Sequence, residues 1–292
     1  MLKTYLFAII IGLQAAIGLN VTASMVDNHP GYDSQPIIVS AQAADTSGLA
    51  GAANEKTDAL TELQKMGITL HPGKDFTADS NDDPKATLAC ASLVYKTLQV
   101  MPAETVKQIK NLTLYFNATG RRGLGGGSTI ILRCQNVSDE ELVGVLVHEL
   151  GHIEDTGVLK GTIWAGESEF KDGQAPIYQD DASLDFYRIS FQNDHQLLDK
   201  AQDADFVSGY AMSDPFEDFA ETYNFYVLHG QSFRQMKINN TALAAKYAFM
   251  KDEVFKGREF DNDIPDGSGS YSSRHYDSTV LGFNLKNFLA YS

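Results

Sequence analysis

The sequence has little positive charge: 23 lysines and arginines stand against 38 aspartates and glutamates, which gives a formal net charge of −15. Because nucleic-acid backbones are polyanions, this balance argues against a nucleic-acid partner. Cysteine is scarcer still: only Cys90 and Cys134 occur, and two cysteines so far apart do not make a thiolate zinc site of the finger type. They can form a disulfide or remain two buried thiols, and the sequence leaves both alternatives open.

Long hydrophobic runs are also scarce, and the one candidate lies near residue 1. Lys3 precedes an apolar stretch over residues 5–19, and the small residues Val21-Thr22-Ala23 follow. This order is typical of a secretory signal peptide, so we expect residues 1–23 to be removed and the mature protein to be secreted or periplasmic. The alternative is an uncleaved membrane anchor, although the stretch is short for a span.

The remaining chain divides at about residue 55. Residues 24–55 are rich in Ala, Ser, Gly and Asp without periodicity, which predicts a flexible linker or pro-segment. Residues 56–292 combine helical periodicity with strand patterns at 112–118 and 129–132, which predicts one helix-rich α+β domain.

Several helix boundaries are also predicted. A first helix is expected from about Thr57 to a stop at Gly67, and Asp83-Pro84 is typical of the start of a second. Asp214-Pro215 has the same pattern and predicts a helix that runs to His229. Another helix is expected over residues 241–255, whereas residues 158–209 show no clear pattern.

The clearest helix start is at Ser138, which stands three residues before Glu141 in the pattern of a capping box. Apolar residues follow at helical spacing, and Gly157 is the expected end of this helix.

This helix carries the motif His148-Glu149-Leu150-Gly151-His152. Residues four apart lie on one helix face, so His148 and His152 can direct ring nitrogens to one zinc ion. Glu149 can then reach a water on the metal without binding the metal, and serve as a general base. The structural alternative is a helix in which both histidines make ordinary hydrogen bonds and the glutamate lies at the surface.

A catalytic zinc needs a third protein ligand. Glu217 and Glu221 are four apart on the helix that Asp214 opens, so one can bind zinc while the other supports a histidine. Alternatively, Glu217 only completes a capping box with Asp214. Spacing alone does not choose between these interpretations.

Together, residues 148–155 and 210–221 resemble the zinc peptidase domain of anthrax lethal factor and of the Pro-Pro endopeptidases. In that group a tyrosine stands seven positions before a glutamate in a Glu-x-Phe-Ala-Glu context, as Tyr210 and Glu217 do here. The resemblance implies that Glu217 is the third zinc ligand and that Tyr210 points into the site. It also implies that Glu221 and Asp155 support the ligands from behind.

The same resemblance implies a zincin-like fold with a small sheet. Its edge strand, Thr129–Arg133, would precede the zinc helix and bind an extended substrate by edge pairing. The interval between His152 and Glu217 is longer than in lethal factor, so substrate preference does not carry over.

These observations predict a zinc-dependent endopeptidase in which Glu149 is the base and Tyr210 donates a hydrogen bond to the oxyanion. The alternative is a non-catalytic, extracellular zinc-binding interaction protein.

Other patterns are interpreted as structural. The glycine run at 125–127 lacks the ending of a phosphate loop. Arg121-Arg122 is interpreted as a solvated pair, and the polar stretch 261–273 as a loop rather than a calcium site. Surface or satisfied core positions are expected for the remaining histidines, which include His195, His229 and His275.

Overall fold

The computed structural model describes residues 52–72, 84–116, 120–262 and 276–291. The predicted signal peptide, residues 1–23, and the predicted linker up to residue 51 lie outside these ranges. No helix within them is long and apolar enough to cross a bilayer. The helices of the described part are α1 (Ala52–Lys65), α2 (Pro84–Val100), α3 (Ala103–Gln108), α4 (Asp139–Ile153), α5 (Ser183–Tyr187), α6 (Pro215–Leu228), α7 (Gly230–Met236), α8 (Thr241–Phe249) and α9 (Leu285–Leu289). The strands are β1 (Thr69–Pro72), β2 (Asn111–Tyr115), β3 (Gly123–Gly126), β4 (Thr129–Arg133), β5 (Glu167–Asp172), β6 (Ala175–Tyr178), β7 (Phe191–Asn193) and β8 (Gln196–Leu197).

The main sheet has the strand order β1-β2-β4-β3. The strands β1, β2 and β4 are parallel, while β3 pairs antiparallel with β4 through a tight hairpin. Strand β4 is therefore internal, and the prediction that Thr129–Arg133 forms the edge is wrong. The edge strands are β1 and β3, and β3 was not predicted because Gly123–Gly126 has almost no side chains to show a strand pattern.

Helices α1 and α2 pack against strands β1 and β2 of this sheet, respectively. Leu63 of α1 and Leu98 of α2 are buried in the common core. Helix α1 begins at Ala52, five residues before its expected start, and ends at Lys65, just before the predicted stop Gly67, whose φ of 83° suits glycine. Cys90 and Cys134 form a disulfide, which joins α2 to the residue after β4 and resolves the alternatives left open above.

The helices α4 and α6 pack against each other and carry the predicted site. Ser138 caps α4, since its Oγ accepts a hydrogen bond from the Glu141 backbone at 3.1 Å. Asp214 caps α6 in the same way, with Pro215 in the first turn. The helices approach closely at Gly151, where an added Cβ would lie 2.8 Å from the Cα of Ala220.

One predicted helix end differs from the structure. Helix α4 continues as a π-helical turn, Glu154–Val158, so Gly157 does not end it. Helix α8 continues into the π-helical turn Met250–Val254, so the helical segment over residues 241–254 agrees with the predicted span. Helix α6 ends at His229 as predicted, but α7 starts at once. The segment without a clear pattern forms the β5–β6 and β7–β8 hairpins and α5.

Candidate metal centre

Three side chains from α4 and α6 converge on one point. His148 and His152 lie one turn apart on α4, and Glu217 lies in the first turn of α6. Glu217 Oε2 is 3.2 Å from His148 Nε2 and 3.5 Å from His152 Nε2. Ligands about 2.05 Å from a tetrahedral zinc ion lie about 3.3 Å from one another, so these separations fit zinc.

The state of the Glu217 carboxylate supports the same fit. Its Oε2 atom is buried and accepts no hydrogen bond from the described residues, although two imidazoles face it. Burial opposes ionisation of Glu217, but the histidines outweigh it and hold its pKa well below the usual range. A buried, ionised oxygen that faces two imidazole nitrogens is the kind of atom that a cation satisfies.

Glu221 lies on the opposite side of the His148 ring. Its Oε1 is 2.9 Å from His148 Nδ1, while its Oε2 accepts a hydrogen bond from the Ser278 backbone N–H at 2.8 Å. A carboxylate at Nδ1 favours the tautomer that leaves the Nε2 lone pair for a metal. The geometry therefore brings Glu217 to the metal side of His148 and Glu221 to its back.

Asp155 is buried one turn beyond His152. Its hydrogen bond, however, comes from the hydroxyl of Tyr187 at 2.6 Å, and burial raises the pKa of Asp155 to about 7. Among the described residues Asp155 has no hydrogen bond with His152, so its direct partner is Tyr187 rather than a ligand.

Glu149 lies beside the ligand set and beneath the edge strand β3. It is only 6% exposed, and burial raises the pKa of its carboxyl. A Cβ added at Gly123 would lie 2.2 Å from Glu149 Oε1. A Cβ added at Gly125 would lie 2.6 Å from the backbone oxygen of Glu149. The glycines of β3 are thus required by the close approach of this acid.

Tyr210 reaches the centre from the 3₁₀ turn Tyr210–Met212, which precedes α6. Its hydroxyl donates to Glu217 Oε1 at 2.8 Å, and its ring stacks 6.2 Å from that of His148. Burial, and then the charge of Glu217, raise the pKa of Tyr210, so the hydroxyl remains a donor.

The expectation that Arg122 is solvated is wrong. Its guanidinium is partly buried and pairs with Asp277, while Nη1 donates to Thr279 Oγ1 at 2.7 Å. Ser278, between these two residues, bonds to Glu221 as described. Sequence reasoning missed this contribution because no local pattern links residues so far apart in the chain.

The remaining predicted positions are the other histidines and the polar stretch 261–273. His195 is exposed and pairs with Asp194, whereas His229 is fully buried among aromatic rings. His275 and most of the 261–273 loop lie outside the described ranges, but Asp261 pairs with Arg234.

Comparison with known proteins gives one match. Residues 137–263 match the model of a family described as "Putative zinc-binding metallo-peptidase", and the match spans both α4 and α6. No curated protein and no solved structure matches the chain. The helix-rich α+β architecture with small sheets is consistent with a zincin-like metallopeptidase fold. The family binds zinc, and His148, His152 and Glu217 form a group able to hold the ion, so Zn²⁺ is the cofactor of this centre.

Proposed function

We propose that the chain is a zinc-dependent endopeptidase in which His148, His152 and Glu217 hold the metal. The observation that carries this proposal is the placement of Glu149. A site that binds zinc only for structure has no need of a buried acid that stays off the metal, whereas hydrolysis requires a base there. When bound, Zn²⁺ supplies Lewis-acid polarisation of the scissile carbonyl and lowers the pKa of a water.

Glu149 takes the proton of the attacking water and passes it to the leaving amine. The raised pKa of its carboxyl suits both steps, because a base whose pKa lies nearer neutrality also returns the proton readily. The close packing of β3 at Gly123 and Gly125 fixes the direction of the carboxylate.

Tyr210 donates a hydrogen bond to the oxyanion that develops on the scissile carbonyl. In the structure the hydroxyl donates to Glu217 Oε1, at 2.8 Å. In this proposal the hydroxyl exchanges that acceptor for the oxyanion as the tetrahedral species forms. The Tyr210 hydroxyl thus stabilises chiefly the transition state.

An extended peptide would lie along β3, antiparallel or parallel to the strand. The outer edge of Gly123–Gly126 has no strand partner among the described residues, and it borders Glu149. Backbone pairing to such an edge binds peptides in many complexes. It also places the scissile bond within a chain that continues in both directions, which favours endopeptidase over terminal cleavage.

The alternative function is a non-catalytic zinc-binding protein that recognises a partner outside the cell. A peptide-library cleavage assay separates the two, if it is run on zinc-loaded protein, chelator-treated protein and protein reloaded with zinc. We expect cleavage that chelation abolishes and zinc restores. Zinc-loaded wild-type protein that cleaves no peptide would favour the binding protein.

The base is tested in the same assay by Glu149→Gln, with Glu140→Gln as a matched control on the exposed first turn of α4. We expect Glu149→Gln to keep its zinc but to lose about 10²–10⁴-fold in rate, while Glu140→Gln matches the wild type. Full activity in Glu149→Gln at unchanged zinc content would remove Glu149 from the mechanism.

The proposal includes export, with removal of residues 1–23. The disulfide between Cys90 and Cys134 supports it, because disulfides persist in oxidising compartments. Mass spectrometry of the mature protein tests this, and a mature chain that begins at Met1 would contradict it.

A further inference from the structure

The turn formed by residues 276–280 lies directly behind the metal centre. Ser278 is fully buried, and its backbone N–H donates to Glu221 Oε2 at 2.8 Å. The other oxygen of Glu221 is the one that meets His148 Nδ1, at 2.9 Å. Ser278 therefore fixes the carboxylate that orients a zinc ligand, through a chain of only two hydrogen bonds.

The same turn also meets the tyrosine at the site. The backbone N–H of Tyr210 donates to the carbonyl oxygen of Tyr276 at 2.5 Å, and the two rings lie 5.9 Å apart. Gly209 makes this approach possible, since an added Cβ would lie 3.2 Å from the Tyr276 ring.

Arg122 holds the turn in place. It pairs with Asp277 and donates to Thr279 Oγ1, and Asp277 Oδ1 in turn caps the turn by accepting from Thr279 N at 2.8 Å. The chain neighbour of Arg122 is Gly123, which packs against the Glu149 carboxylate. The Arg122 guanidinium thus connects the start of β3, which packs against Glu149, to the turn that orients His148 through Glu221.

A second contact anchors the turn to both site helices. Ser278 Oγ donates to Asn224 Oδ1 at 3.1 Å, and Asn224 Nδ2 donates to the carbonyl of Gly144 at 2.6 Å. Gly144 has no side chain, and an added Cβ would lie 2.6 Å from the backbone oxygen of Thr279. The turn is therefore packed into α4 and α6 without room for displacement.

We infer that the 276–280 turn, held by Arg122, is a positioning element for the zinc centre that fixes Glu221 behind His148. The element and Arg122 both lie outside residues 137–263, the part that matches the family model. The inference rests on the proposed ligand set, but not on peptide hydrolysis. Its physical basis is that partners behind a ligand set its orientation and commonly change metal affinity by about 10–100-fold.

The decisive comparison is Ser278→Pro against Ser278→Ala. Proline removes the N–H that Glu221 accepts, and its ring Cδ occupies the space of that proton. Alanine keeps the N–H and removes only the hydroxyl. Proline suits the backbone, because Ser278 is the first residue of a 3₁₀ turn and Asp277 before it is extended, with φ −134° and ψ 127°.

The readout is the zinc dissociation constant, measured by competition with a chromogenic chelator, with thermal unfolding of the metal-free protein beside it. We expect Ser278→Pro to bind zinc about 10–100-fold more weakly than Ser278→Ala. We also expect an altered visible spectrum when cobalt(II) replaces zinc in Ser278→Pro. Equal zinc affinities in the two folded variants would overturn the inference.

Arg122→Gln keeps the inference testable if Ser278→Pro does not fold. Its matched control is Arg121→Gln, the same substitution at the exposed neighbouring position. Weaker zinc binding in Arg122→Gln, with wild-type binding in Arg121→Gln, would support the inference, and wild-type binding in both would overturn it. Absence of peptidase activity in the wild type would refute the proposed function alone, because none of these measurements uses a substrate.

Discussion

Substitution of Gly123 by alanine tests whether the edge strand positions Glu149, the proposed base. The added Cβ would lie 2.2 Å from Glu149 Oε1 and 2.6 Å from Val145 Cγ1. Non-bonded heavy atoms prefer about 3.5 Å, so the Glu149 carboxylate, β3 or both must move by about 1 Å. A displacement of that size at a reacting group can cost about 10²-fold in rate. The metal ligands do not face Gly123, so zinc content should not change.

The assay is kcat/KM on a cleaved peptide, with zinc content measured by elemental analysis on the same samples. The matched control is Gly282→Ala, because an added Cβ at Gly282 meets no atom within 4 Å and its φ needs no glycine. We expect Gly123→Ala to lose about 10²-fold in kcat/KM at full zinc occupancy, and Gly282→Ala to lose none. Equal kcat/KM in the two variants would refute the reasoning that packing against β3 sets the position of the base.

Three further predictions concern the tyrosine, the ligands and the disulfide. Tyr210→Phe should lower kcat by about 10²–10³-fold with little change in KM; a rise in KM alone, seen in steady-state kinetics, would instead make Tyr210 a substrate-binding residue. Glu217→Ala should lose zinc by elemental analysis, whereas Glu221→Ala should retain it with about 10–100-fold weaker affinity; the reverse result would exchange their roles. Replacing Cys90 and Cys134 by serine should lower the free energy of unfolding by about 4 kcal/mol, from the chain entropy of a loop of this length. Denaturant titration measures this loss, and an unchanged midpoint would show that the bond does not stabilise the fold.

The parts of the site that lie within one helix could be predicted from the sequence. The four-residue spacing of His148 and His152 fixes their common face once the helix is recognised, and the caps Ser138 and Asp214 mark where each helix begins. Spacing alone did not decide between Glu217 and Glu221, because both lie on the same side of one helix. The resemblance favoured Glu217, and in the structure Glu217 is the one that faces the Nε2 atoms.

The parts that depend on tertiary contact were not predictable. The glycine run at 125–127 was interpreted as a loop, and the strand Gly123–Gly126 was not predicted, since strand patterns are read from side chains and this strand has only one, that of Leu124. Arg122 looked like a surface charge, because its partner Asp277 is 155 residues away and nothing local marks the pair. The placement of both features comes from packing around α4, which is itself long-range.

The metal ligands and the segments that position Glu149 and Glu221 therefore come from different parts of the chain. The ligands come from α4 and α6, within the part that matches the family model, whereas β3 and the 276–280 turn flank that part on either side. Residues 137–263 alone would keep His148, His152 and Glu217 but would lose the strand that packs on Glu149 and the N–H that holds Glu221. They would also expose the side of α4 that packs on β3 and β4. Zinc binding therefore draws on the converging ligand atoms and on the turn that holds Glu221 behind His148, while the proposed hydrolysis also needs a fixed carboxylate beside them.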